Sequence, residues 1–112
     1  MHPEVDTVVA EELLGVTRMV KVNKQLMEAA NPDIETVPFH RDEVEKLVAS
    51  FHEHGYRPEM ADHQIEILKF GRRMAVLEGN HRVVAAYWAG VKELKAEVIT
   101  VSRAQWRKHT GG

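Results

Sequence analysis

The run Glu78-Gly79-Asn80-His81-Arg82 places a carboxylate, an imidazole and a guanidinium around a glycine, directly ahead of the apolar stretch Val83 to Ala89. The pattern predicts a strand over Met74–Leu77, a tight turn at Glu78-Gly79 and a helix from about His81 to Ala89. Asn80 is placed as its N-cap, the side-chain oxygen accepting from one of the first free backbone N–H groups. Gly90 is placed as a left-handed C-terminal cap. His81 and Arg82 then fall in the first turn, where the macrodipole is already positive and basic side chains are unfavourable. Sequences break such local rules at functional positions. A bound anion resolves the conflict, because the free N–H groups, the dipole, Arg82 and His81 would converge on one phosphate or carboxylate. The competing structural reading leaves Arg82 solvated and His81 packed on a neighbouring loop, and Gly-x-x-Arg alone is too short to separate the two.

The rest of the chain must position this turn. Val83, Val84, Ala85, Ala86, Tyr87 and Ala89 leave almost no polar face, so the helix is expected to be buried nearly all round, with Tyr87 and Trp88 in the core. A second helix is predicted from Arg41 or Asp42 to His54, with Asp42 and Glu45 as a capping box and Gly55 as its C-cap. Val44, Leu47, Val48 and Phe51 form its apolar stripe. Between these helices, His63–Phe70 and the strand from Met74 form a hairpin around Gly71-Arg72-Arg73, with Ile65 and Ile67 alternating against Gln64 and Glu66. Upstream, Val16–Val22 reads as a strand and Lys24–Ala30 as a turn or two of helix stopped by Asn31-Pro32. Ile34–Phe39 reads as extended, with Pro38 confining it to a sheet edge or a strand end. Downstream, Lys95–Val101 is a strand, and Ser102 with Gln105 caps a short helix carrying Trp106. Residues 1–14, with Val5, Val8 and Val9, fit either a strand or the lead into a short helix.

At 112 residues the chain is expected to form one domain with a modest core. A hydrophobic share of 44% and a charged share of 29% are ordinary for a soluble protein. The net charge of −2 argues against a broad electrostatic grip on nucleic acid and leaves room for a local basic patch. With no cysteine, disulfides, thiol chemistry and thiolate metal sites are excluded. No apolar run reaches membrane-spanning length and the acidic N-terminus does not read as a signal peptide, so the expected location is the cytoplasm, with no membrane partner. The seven histidines suggest a metal site, but His52 and His54 point to different sides of a helix, and His2, His40, His63 and His109 lack ligand spacing. No metal-binding residues are assigned.

The block Asp42 to Pro58, then Val76 to Val91, then Ala96-Glu-Val-Ile99, resembles the ParB/sulfiredoxin-type domain. In that family a helix precedes a hairpin, and a strand feeds a Gly-x-x-Arg turn at the start of a small-residue-rich helix. The resemblance is strongest over residues 34–101, with 102–112 as a short helix and tail. It implies an α/β (α+β) fold, a single compact domain over residues 1–112 with a small mixed sheet and a buried helix after the turn. It also implies a nucleotide, ATP or CTP with Mg²⁺, whose phosphates are held by Gly79, Asn80, His81 and Arg82. Ser50 matches a serine that faces the nucleotide in the sulfiredoxin branch. Lys46, one turn earlier and one residue out of register with the family, could reach a phosphate. Sulfiredoxins need a cysteine directly before the His-Arg pair, and here that position is Asn80, so sulfinic acid reduction is not implied. The helix-turn-helix and dimerisation parts of chromosome-partitioning ParB proteins have no counterpart in these residues. Glu78-Gly79-Asn80-His81-Arg82 is most similar to the acidic-Gly-x-His-Arg sequence of the fold's free serine kinases.

Three functional classes are compatible with these residues. In a nucleotide-dependent phosphotransferase or NTPase, Arg82 would hold phosphates, His81 would neutralise developing charge, and Glu78 would bind Mg²⁺ or act as base. Asp62 and Glu59 are the candidates for a second carboxylate. In a DNA-binding protein or nuclease, Arg72, Arg73, Arg103, Arg107 and Lys108 would form a basic patch with Trp106. In a sensing module, the same turn would bind a nucleotide without turnover and signal to a protein partner.

Overall fold

A computed structural model describes residues 15–56 and 65–111. The expectations for Val5, Val8 and Val9, for His63 and Gln64, and for Glu59 and Asp62 lie outside the described residues. Four strands form one sheet in the order β1-β4-β2-β3: β1 Val16–Lys21, β2 Ile65–Phe70, β3 Arg73–Glu78 and β4 Glu93–Thr100. β1 runs antiparallel to β4 and β3 antiparallel to β2, while β2 and β4 are parallel, so the sheet is mixed. The helices are α1 Lys24–Glu28, α2 Asp33–Thr36, α3 Pro38–His54, α4 Asn80–Ala89 and α5 Arg103–Thr110. Among the described residues no helix is long and apolar enough to cross a membrane.

Strand alternation divides the sheet into two faces, each with its own core. Ile65, Ile67, Val76, Leu94, Ala96 and Val98 face α4, whose Val83–Ala86 are all buried, and Leu26, Ile34 and Val44 close this side. Leu68, Ile99 and Val101 face the other way and are covered by Trp106 of α5. α5 is fixed at its start by the capping box expected from the sequence: the Gln105 amide N–H donates to the Ser102 hydroxyl, and the Ser102 amide N–H donates to the Gln105 side-chain oxygen.

β3 is a sheet edge, and edges need cover. Here the α1 region supplies it, with the Val76 N–H donating to the Ala29 carbonyl at 3.0 Å and Gln25 Nε2 to the Arg72 carbonyl at 2.7 Å. Near its end β3 is irregular: Ile67 pairs with Val76 but Glu66 pairs with Glu78, leaving Leu77 as an extra, exposed residue. Such a bulge bends a strand and re-aims the residues beyond it. In this chain those residues are Glu78 and the Gly79 turn.

Four element readings need correction. Ile34–Phe39 is not extended: a short helical segment spans Asp33–Thr36, only Val37 is extended, and α3 begins at Pro38. Pro38 reads as a strand breaker, yet a proline at the first helical position loses no hydrogen bond, and its restriction on the preceding residue accounts for an extended Val37. α3 therefore starts ahead of Arg41, and Asp42 with Glu45 lies inside the helix rather than capping it. α4 is not buried all round, since Tyr87 and Trp88 are each 38% exposed. An indole N–H seeks a polar partner, and Trp88 donates to Glu35 Oε2 at 3.2 Å, at the protein surface. Finally, β4 begins at Glu93, two residues before the expected start.

Candidate functional site

Gly79 occupies the left-handed region, with φ 89° and ψ 26°, and is the residue that launches α4. Two independent constraints hold this position to glycine. L-residues are disfavoured at that φ, and a Cβ there would come within 2.8 Å of Ile65 Cγ1 and 3.3 Å of Ile65 Cα. Ile65 is buried and cannot give way cheaply. The same Cβ would also lie 3.3 Å from an Arg82 terminal nitrogen, so the Arg82 guanidinium folds back over the turn.

Asn80 is not the N-cap. Gly79 holds that position, and among the described residues no side chain caps the helix start. The Asn80 side-chain oxygen instead accepts from the Asn31 N–H at 2.9 Å, pinning the loop before α2 onto the start of α4. Asn31 in turn accepts from the Asp33 N–H. The first backbone-bonded amide of α4 is Val83, whose N–H donates to the Gly79 carbonyl at 3.0 Å. The amides of Asn80, His81 and Arg82 thus precede the helical hydrogen-bond ladder, where the macrodipole is positive.

His81 leans towards α3. Its Nε2 lies 2.9 Å from His40 Nδ1, with ring centroids 4.9 Å apart, so one imidazole donates and the other accepts. His81 is held below the usual imidazole value of 6.5, first by its burial and second by His40, with Glu43 opposing. Beside it opens a cavity of about 330 Å³ lined by Phe39, Glu43, Lys46, Leu47 and His81. Lys46 pairs with Glu43 at 3.3 Å across one turn of α3 and is well exposed, a contact that contributes little to stability but holds the ammonium beside the cavity.

The structure therefore gathers Gly79, Asn80, His81 and Arg82 at one turn, with Lys46 lining the cavity that His81 closes. It does not bring in Ser50, which is exposed on α3 and does not line that cavity. Glu78 ends β3 and makes no hydrogen bond or ion pair with His81 or Arg82. Its register neighbour is Glu66, which in turn pairs with Glu97, so three carboxylates lie in a row across adjacent strands. Among the described residues no group of three or more His, Asp or Glu is arranged to hold a metal ion. Sequence reasoning misses His40 and Glu43: the expected helix begins only at Arg41 or Asp42, after His40, and no spacing signal brings either residue to His81, 41 positions from His40. It misses Glu66 as a neighbour of Glu78 because the bulge at Leu77 shifts the pairing.

No family model matches the sequence, and no curated protein does. Among solved structures, the fold is similar to that of sulfiredoxin from Arabidopsis thaliana, with a TM-score of 0.54 over 82% of this chain and 96% of that one. The identity is 17%, so the likeness is one of fold. The chain is a small α+β domain with a four-stranded mixed sheet, of sulfiredoxin-like fold.

Proposed function

We propose that this domain binds a nucleoside triphosphate, ATP or CTP, through its phosphates at the Gly79–Arg82 turn. The observation that carries the reading is the cradle at Gly79. A side chain is excluded there by Ile65, the Arg82 guanidinium stands 3.3 Å from the excluded position, and the helix behind it begins without a side-chain cap. Uncapped amides, a positive dipole end and an arginine fork together suit a phosphate rather than a neutral ligand. His81 lines the adjoining cavity, and Lys46 places an ammonium on its wall, paired there with Glu43. Mg²⁺ bound with phosphates needs only one or two protein carboxylates; Glu78, one residue before the turn and in register with Glu66, is the acid the chain offers for it.

Turnover as a phosphotransferase or NTPase would add positioning and charge neutralisation to this binding. His81 is the group for charge neutralisation and Glu78 the group for metal or base. The test is calorimetry and thermal shift with ATP, CTP and GTP, with and without Mg²⁺, on the wild type and Arg82→Ala. Stabilisation by a nucleotide that vanishes in Arg82→Ala, with the variant's own melting temperature nearly unchanged, is the expected result. Equal stabilisation of both proteins would remove the turn as the site. Release of phosphate from the bound nucleotide would then separate turnover from sensing.

A further inference from the structure

We infer that the recess between the β2–β3 hairpin and α5 binds single-stranded nucleic acid, on the opposite face of the sheet from the Gly79 turn. Arg73, Arg103 and Arg107 line a cavity of about 320 Å³ with Phe70 and Trp106. Arg73 and Phe70 are register partners at the mouth of the hairpin, and Arg103 and Arg107 lie one turn apart on α5. Residues four apart on a helix share a face, so three guanidiniums from two elements converge on one concavity. Among the described residues none of the three has a carboxylate within ion-pairing distance. In a chain whose formal charge is −2, gathering three arginines without one acid is a local choice of ligand charge.

The aromatic content decides the kind of anion. Arg103 lies over the Phe70 ring at 6.0 Å from its centroid, and Phe70 stands 6.1 Å from Trp106. Trp106 is buried and forms the floor, while Phe70 is half-buried and carries the guanidinium above it. A guanidinium plane backed by a ring is a platform on which an unstacked base lies, with the neighbouring arginines on its phosphates. Duplex bases remain stacked on each other and cannot enter a concavity of this size, which selects a single strand. The glutamate row of Glu66, Glu78 and Glu97 lies toward the other end of β2, so the footprint is confined to the hairpin end.

The experiment is fluorescence anisotropy with a labelled oligothymidylate of about 12 nucleotides, within the site sizes of small single-strand binders. Binding at low salt is expected to weaken with a log–log salt slope of about −2, three phosphates at roughly 0.7 each. Arg103→Ala/Arg107→Ala is expected to lose about tenfold or more in affinity and most of the slope. Arg73→Gln, at the exposed hairpin, gives a second reading independent of α5, and melting curves check that each variant is folded. Arg82→Ala, at the opposite face, should bind the oligonucleotide as the wild type does. No binding at low salt, or binding unchanged by the arginine substitutions, overturns the assignment. So does equal competition by inorganic phosphate or polyglutamate at matched charge, which would make the recess a general anion site. Loss in Arg82→Ala alone would move the activity to the turn.

Discussion

Replacing Gly79 by alanine tests the steric logic of the turn more directly than any other single change. The left-handed φ costs an L-residue about 1–2 kcal/mol. The new methyl would stand 2.8 Å from Ile65 Cγ1 and 3.3 Å from Ile65 Cα; forcing atoms into a packed site costs about 1–3 kcal/mol more. The sum is roughly 2–5 kcal/mol, a large share of the net stability of about 5–15 kcal/mol that holds a small domain folded. Gly90 supplies the control within the same helix. It has a similar φ of 79°, but among the described residues nothing lies within 4 Å of a Cβ built there. Gly90→Ala should therefore cost only the conformational part, about 1–2 kcal/mol. Urea denaturation followed by circular dichroism measures both, and the excess of Gly79→Ala over Gly90→Ala isolates the Ile65 contact. An excess below about 0.5 kcal/mol would refute the reasoning, since the turn would then have room for a side chain. At temperatures where both variants are folded, Gly90→Ala should still be stabilised by nucleotide and Gly79→Ala should not.

Three further outcomes are expected of the same site. His81 is held below 6.5 in the folded state by burial and by His40, so its neutral form is favoured on folding. The stability this contributes is fully present above pH 6.5 and is lost as pH falls through the lower folded value; His81→Gln should flatten that part of the stability profile, and an unaltered profile would assign the loss to other groups. A bound phosphate acts in the opposite sense, favouring the imidazolium, so nucleotide affinity should rise as pH falls below 6.5, with a slope reduced in His81→Gln. For Asn80, alanine removes the 2.9 Å bond from the Asn31 N–H and is expected to cost about 1 kcal/mol by chemical denaturation. The helix itself should keep its circular dichroism signal, because Gly79 is the cap; Asn80→Asp, which retains an acceptor, should recover most of the loss.

The parts of the fold legible in the sequence are those carried by local signals that point one way. β2, α4 and β4 have unambiguous apolar patterns, and Ser102 with Gln105 marks the start of α5 because both halves of a capping box lie within four residues. The stretch 34–41 misleads because it holds two conflicting local signals, β-branched residues and a proline. Burial of Ile34 against α4 and the proline's place at the first turn of α3 resolve them in favour of helix. The Gly79 turn is legible as a turn but not as a steric cradle, because the atom that makes it one belongs to Ile65, fourteen positions away and on another strand. His40 and His81 are likewise separated by 41 positions, and no spacing rule reaches across the packing of α3 on α4 that joins them.

The identity of residue 80 limits what chemistry this turn can support. A nucleophile there would need a free side chain facing the ligand, and an amide is a poor nucleophile in any case. The Asn80 oxygen is already committed to the Asn31 N–H, and that bond fastens the segment leading into α2 and α3 to the start of α4. α3 in turn carries His40, which holds His81, and Glu43 and Lys46, which line the cavity beside it. Residue 80 thus acts through position rather than reactivity: it sets where the α3 wall stands relative to the turn. With residue 80 committed to Asn31 and no cysteine anywhere in the chain, the groups left at the turn are the Arg82 guanidinium, a fixed charge, and the His40–His81 pair, which can exchange a proton. For the proposed phosphate ligand, the guanidinium would supply the standing positive charge and the imidazole pair a proton that binding can draw on. This division of roles is also why substitutions at His81 and Asn80 should separate cleanly, the first changing the pH dependence of binding and the second the geometry on which binding depends.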